Sequence, residues 1–143
     1  MAEGAGLITN WTKLASWTKL INLGAGGTPD VLKMSLVTTA YASISIDDTT
    51  AITSLTEYLG ANYVIKTLAG QSVTQVDASD LAKFNGDDIV WTSLGDHATD
   101  ITAAVLWDDS VSDYVLMKWE ITTQPNGADY TLAFNANGIA TLT

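Results

Sequence analysis

The alternation of apolar and polar positions is clearest over residues 114–122, where Val115, Met117, Trp119 and Ile121 fall on one side and Lys118, Glu120 and Thr122 on the other. A period of two is that of a strand with one buried face. Residues 31–38 repeat it, with Leu32, Met34 and Leu36 opposite Lys33 and Ser35. Residues 130–134 do so with Tyr130, Leu132 and Phe134 opposite Thr131 and Ala133. Residues 101–107 differ: apart from Thr102 they are apolar on both sides, the pattern of a central strand covered on each face, ended by the Asp108-Asp109 turn. Shorter runs at 63–68, 71–76, 81–84, 89–92 and 139–142 are bounded by Gly, Asp or Asn and read as further strands. Such spacing suggests a sandwich or a barrel. Pro125-Asn126-Gly127 is a strong turn signal, and it predicts that the strands at 114–122 and 130–134 are neighbours joined by a tight or bulged hairpin.

Two stretches follow another period. Residues 8–21 place Trp11, Leu14, Ala15, Thr18 and Ile21 at helical spacing behind an Asn10 cap, and Gly24-Ala25-Gly26-Gly27 breaks the run. The expectation is a short N-terminal helix followed by a flexible elbow, residues 1–27, ahead of a β-domain at 28–143. Trp-Thr-Lys-Leu occurs at 11–14 and again at 17–20, a single short duplication rather than a repeat architecture. Asp47-Asp48-Thr49-Thr50 ahead of Ala51-Ile52 predicts a second, short helical turn leading into Leu55, Tyr58 and Leu59.

Composition sharpens this picture. Thirteen of the sixteen acids are Asp, a residue of turns, while Glu, the helix former, appears three times. Thr contributes 20 residues and, with Val, Ile, Trp and Tyr, supplies stock for pleated, half-buried surfaces. The expected class is therefore mainly β, an antiparallel sandwich or jelly-roll-like domain with a short N-terminal helix. With 143 residues, 47% of them hydrophobic and 15% charged, the chain has material for one packed core. No apolar run reaches the roughly 20 residues that span a bilayer. Glu3 stands where an export signal carries basic residues, so no such signal is expected.

Charge narrows the partners. Six Lys, no Arg and sixteen acids give a net charge of −10, a surface that repels nucleic acid and anionic membranes. Neither is an expected partner. Cysteine is absent, which removes disulfides, thiolate zinc sites and cysteine nucleophiles, and the one histidine, His97, removes most imidazole metal sites. His97 lies in Gly95-Asp96-His97-Ala98, with no Gly-x-Ser-x-Gly nucleophile motif anywhere, so it reads as a loop residue and not as a general base. Glycosidase chemistry needs two carboxyls facing one another across a cleft. Asp47-Asp48, Asp87-Asp88 and Asp108-Asp109 are adjacent pairs and read as solvated turns. Calcium remains open to the oxygens of Asp77, Asp80, Asp87 and Asp88, or of Asp108, Asp109 and Asp113, only if their loops converge. Gly24–Gly27 lacks the Lys-Ser/Thr of a phosphate loop. No catalytic residue, cofactor or metal ligand is assigned.

The tryptophans divide into two groups. Trp91, Trp107 and Trp119 lie in strands, where packing is the default role. Trp11 and Trp17 sit about 240° apart around a helix at about 100° per residue, so both cannot face one narrow core stripe. With Leu14 and Leu20 they are the candidate interface residues, since aromatic anchors are enriched at interfaces.

The order of segments carries a resemblance. A predicted N-terminal helix is followed by Asp30-Val31-Leu32-Lys33-Met34-Ser35-Leu36-Val37-Thr38-Thr39-Ala40-Tyr41, Glu57-Tyr58-Leu59-Gly60-Ala61-Asn62-Tyr63 and Leu68-Ala69-Gly70-Gln71-Ser72-Val73-Thr74. Then come Phe84-Asn85-Gly86-Asp87-Asp88-Ile89-Val90-Trp91, Ala104-Val105-Leu106-Trp107-Asp108-Asp109 and Phe134-Asn135-Ala136-Asn137-Gly138-Ile139-Ala140-Thr141-Leu142. Over residues 8–143 the chain resembles small virion structural proteins of tailed bacteriophages, among them capsid decoration or cement proteins. The resemblance implies an all-β domain present in many copies on a particle assembled in the bacterial cytoplasm, a homotrimer bridging subunits of the major capsid protein. A place on the tail or neck, and a virion carbohydrate-binding module, are the alternatives it leaves open. The Trp-Thr-Lys-Leu duplication departs from the family pattern and makes the N-terminal segment the most individual part.

Overall fold

A computed structural model describes residues 7–8, 30–45, 50–76, 81–110, 113–134 and 139–142. The chain is mainly β, and among the described residues every strand pairing is antiparallel. Among the described residues the strands are β1 (Leu7–Ile8), β2 (Leu32–Val37), β3 (Lys66–Thr67), β4 (Ser72–Val76), β5 (Leu81–Asn85), β6 (Ile89–Trp91), β7 (Ala103–Asp108), β8 (Val115–Glu120), β9 (Tyr130–Leu132) and β10 (Ala140–Leu142). They form a five-stranded sheet in the order β1-β8-β7-β2-β3, a three-stranded sheet β10-β5-β4 and a two-stranded sheet β6-β9. The apolar run at 101–107 is the middle strand, β7, and all six of its residues are buried. Coverage of both sheet faces explains why that run lacks alternation.

The two faces meet different partners. Leu32, Met34 and Leu36 of β2, Ala104 and Leu106 of β7, and Met117 and Trp119 of β8 share one cluster with Leu68, Phe84, Ile89, Trp91, Tyr130, Leu132 and Ile139. That cluster joins all three sheets into one core. The other face, Val37, Ala103, Val105, Trp107 and Val115, is closed by Ile44, with Tyr41, Ile52 and Leu55 packed against it. Two 3-10 turns, Tyr41–Ser43 and Ile52–Ser54, carry Tyr41 and Ile52, and Ile44 and Leu55 follow directly after them.

Four expectations change. Val115 leaves the face it was predicted to share with Met117 and Trp119: Trp107 pairs with Val115 but Leu106 pairs with Met117, so a bulge makes Leu116 an extra residue and reverses the alternation. Residues 114–122 and 130–134 are not a hairpin, because β9 pairs with β6 in a separate sheet. The turn itself is present, but Gly127, at φ 86°, donates its N–H to Leu94 O, while Leu94 donates to Ala128 O. The Pro-Asn-Gly segment therefore carries the chain from one sheet to another. Ile8, placed at the start of the predicted helix, is instead in β1; the rest of that helix, residues 9–21, and the elbow at 24–27 lie outside the described residues. Among the described residues the only helical elements are the two 3-10 turns. The second of these meets the expectation of a short turn after Thr50, but no side chain caps it, and Thr50 Oγ1 instead donates to Ser45 O at 3.4 Å.

Candidate functional site

The acidic turns expected to be solvated are partly structural. Asp88 Oδ1 accepts the Phe134 N–H at 2.8 Å, and Asp129 Oδ1 accepts that of Ser93 at 2.9 Å. Asp87 lies against Gly70, whose backbone at φ 64° and lack of a side chain make room for the carboxylate. Asp108 is buried and accepts the Ser110 N–H, whereas Asp109 is paired with Lys33 at 2.7 Å. Burial of Asp108 corrects its reading as a solvated turn acid. Asp88, Asp108 and Asp129 hold loops by satisfying backbone donors, and Asp109 by pairing with a cation. Among the described residues no three His, Asp or Glu side chains gather closely enough to hold a metal. Asp47, Asp48, Asp77 and Asp80 lie outside the described residues.

His97 belongs to a cluster of rings at one end of the main sheet. Tyr58, fully buried, donates its hydroxyl to Gly95 O at 2.7 Å and meets His97 edge-on at 5.6 Å and Tyr63 at 5.9 Å. His97 Nδ1 accepts the Thr99 N–H at 3.2 Å, so this nitrogen is spent on its own loop. Tyr63 Oη accepts the Leu36 N–H at 3.1 Å. Burial pushes the Tyr63 hydroxyl well above its ordinary titration range; the Leu36 N–H opposes this and the Glu57 carboxylate adds to it. A phenol whose folded pKa exceeds its unfolded value of about 10 gives stability that is complete below pH 10 and is lost as pH rises toward the folded pKa. Tyr63→Phe is therefore expected to flatten the fall in urea midpoint between pH 9 and pH 11. An unchanged slope would mean that Tyr63 ionises alike in both states.

Lys118 is the residue that the sequence reading missed. It was placed on the polar side of its strand, yet it is 6% exposed. Its Nζ donates to Tyr41 O at 3.0 Å and Ile44 O at 2.7 Å, and lies 4.2 Å from the Tyr41 ring centroid. Desolvation lowers its pKa. The ammonium thereby fastens the 41–44 segment over the second face of the sheet, offsetting part of its burial cost with charge-assisted bonds and a cation–π contact. A lysine at an alternating position of a strand gives no sequence signal of this role.

The strand tryptophans are packing residues, as their pattern predicted. Trp91, Trp107 and Trp119 are 0%, 5% and 3% exposed. Trp91 Nε1 donates to Val64 O at 2.8 Å and Trp107 Nε1 to Ser35 Oγ at 3.0 Å, so both indoles are also satisfied. Trp11, Leu14, Trp17 and Leu20 lie outside the described residues, but the structure defines the two points between which they run. At one end Leu7 and Ile8 pair with Lys118 and Met117 at the outer edge of β8; at the other, Leu32 opens β2, three strands away in the same sheet. A short apolar Leu7-Ile8 pair was the available signal for a strand there, and the helical period that follows obscured it. Large apolar side chains also reach solvent outside the core at Leu59, Val64, Ile65 and Val90. Comparison with family models, curated proteins and solved structures gives no match for this chain.

Proposed function

We propose that the chain is a structural subunit of a tailed-bacteriophage virion, a capsid decoration or cement protein. In this reading a sandwich-like β-body acts as a homotrimer on the major capsid protein. The observation that carries the reading is the two-part build. An antiparallel body, with turn acids engaged by its own backbone and by Lys33, carries a segment rich in apolar anchors that runs between Leu7–Ile8 on β8 and the start of β2. A particle-bridging subunit needs a body that holds its shape and an adhesive segment. Repetition over a shell then turns modest contacts into firm attachment. Trp11, Leu14, Trp17 and Leu20 are the adhesive residues in this account. The family-like segment order at 30–41 and 104–109 coincides with β2 and β7, the strands that build the middle of the body. The carbohydrate-binding alternative gains nothing from Trp91, Trp107 and Trp119, because their rings are buried.

Cementing makes a mechanical prediction. Expanded heads carrying the chain are expected to rupture at a temperature several degrees above that of bare heads, followed by dye access to the packaged DNA. Heads that bind the chain yet rupture at the same temperature would rule out cementing. Binding to tails and not to heads would move the subunit to the tail or neck.

A further inference from the structure

We propose that residues 59–65 and 90–97 together form a docking surface for a segment of a partner polypeptide in which apolar side chains are interspersed with Lys or Arg. Among the described residues five large apolar side chains reach solvent, and four of them, Leu59, Val64, Ile65 and Val90, belong to these two stretches. The fifth, Val31, is tied to the turn at Asp109 and Ser110. Leu59 is the most exposed of all, at 71%.

The two stretches run antiparallel, side by side. Gly95 donates its N–H to Ala61 O at 2.8 Å, Asn62 Nδ2 donates to Ser93 O at 2.9 Å, and Trp91 Nε1 donates to Val64 O at 2.8 Å. That progression sets Ile65 level with Val90. At the other end Leu59 follows Tyr58, whose ring meets His97. Exposed apolar side chains thus occur at both ends of one strip. Its backbone is held firmly: Tyr58 donates its hydroxyl to Gly95 O, a Cβ added at Gly60 would collide with that same carbonyl, and one added at Gly95 would collide with the Ala61 Cβ. Segments fixed in this way do not turn their apolar side chains under, so the strip keeps apolar surface in water that a partner would cover.

Charge says which partner fits. Residues 57–66, 87–100 and 129 carry six acids, Glu57, Asp87, Asp88, Asp96, Asp100 and Asp129, against one lysine, Lys66. The five aspartates are exposed. They are spread along the strip. Asp87 and Asp88 precede Ile89 and Val90 at one end, and Asp129 accepts the Ser93 N–H in the middle. Asp96 and Asp100 lie near Tyr58 at the other end, where burial raises the hydroxyl's pKa and their charges add to it. Asp88 and Asp129 each accept a backbone N–H, which fixes a carboxylate in place without removing its charge. An apolar strip bordered by fixed negative charge favours a segment that carries cations beside its apolar side chains. It opposes nucleic acid, an anionic membrane and a second copy of a chain whose net charge is −10. This surface is separate from the Trp11 and Trp17 segment and holds whether or not the chain belongs to a virion.

A fluorescently labelled peptide of alternating Leu and Lys, titrated with the full chain and followed by anisotropy, tests the proposal. Saturable binding is expected. Val64→Ser combined with Val90→Ser is expected to weaken it at least about tenfold, while Val31→Ser leaves it unchanged. Both strip valines are exposed, so the urea midpoint is expected to stay in place. Asp96→Asn with Asp100→Asn, which alters charge but not shape, is expected to weaken binding several-fold and to flatten its dependence on salt. A peptide with Glu in place of Lys is expected not to bind, and one with Ser in place of Leu to bind at least about tenfold more weakly. No saturable binding, equal binding of the Glu peptide, or equal weakening by Val31→Ser would overturn the proposal. Self-association of the chain that Val64→Ser with Val90→Ser abolishes would overturn it as well, by giving the strip to a second copy.

Discussion

Trp91→Ala is expected to destabilise the body by about 3–5 kcal/mol, a large part of the roughly 5–15 kcal/mol that domains of this kind possess. Trp91 is fully buried, and its ring meets Tyr130 edge-on with centroids 6.3 Å apart. Its strand, β6, pairs among the described residues only with β9, in a sheet of two strands. A two-stranded sheet has little stability alone, so β6-β9 depends on the core to which Trp91 and Leu132 attach it. The Val64 carbonyl would also lose its indole donor, which ties the 63–65 segment to the same sheet. Trp91→Phe keeps a ring in the core but not that hydrogen bond, and is expected to fall between. Urea unfolding measures all three proteins. A loss below about 1 kcal/mol for Trp91→Ala, ordinary for a surface site, would mean that the small sheet is held by other contacts.

On the proposed reading, replacing both Trp11 and Trp17 with Ala is expected to abolish attachment to heads while leaving the body folded. An aromatic anchor at the centre of an interface contributes about 2 kcal/mol or more, roughly 30-fold in affinity. Losing two anchors at each of many copies removes the contacts that repetition amplifies. The body's clusters draw on β2 and the strands that follow it, with Tyr41, Ile44, Ile52 and Leu55 as cover, so its urea midpoint is expected to stay where it was. Attachment measured by sedimentation with heads and stability measured by urea separate the two roles. Loss of both together would place the tryptophans in the core.

What the sequence made legible was local. The apolar run at 101–107 announced a strand covered on both faces, and β7 is the middle of the main sheet. Leu32, Met34 and Leu36 announced their buried side by alternation, and all three are fully buried. Partner choice was less legible. The Pro125-Asn126-Gly127 turn looks like a hairpin from within, but whether the next strand returns depends on Leu94, a residue far away in sequence whose backbone occupies that turn. The bulge at Leu116 is likewise invisible to a pattern of period two, which assigns Val115 and Met117 to one face. Lys118 shows the limit of reading polarity as exposure. Its charge is satisfied by carbonyls that the 41–44 segment brings over the sheet, and no residue next to it in sequence signals their approach. Of the candidate interface, the sequence offers composition and spacing: two tryptophans, two leucines and two lysines in residues 11–20. The fold adds the anchoring points, β1 on the edge of β8 and β2 three strands from β1 in the same sheet.

The central proposal is that this chain is a particle subunit, and co-sedimentation with expanded, undecorated phage heads tests it most directly. The account predicts that the chain pellets with the heads and saturates at a fixed number of copies per head, a number shared by every preparation. A chain that stays in the supernatant throughout the titration, beside heads shown to be intact and expanded, would contradict it.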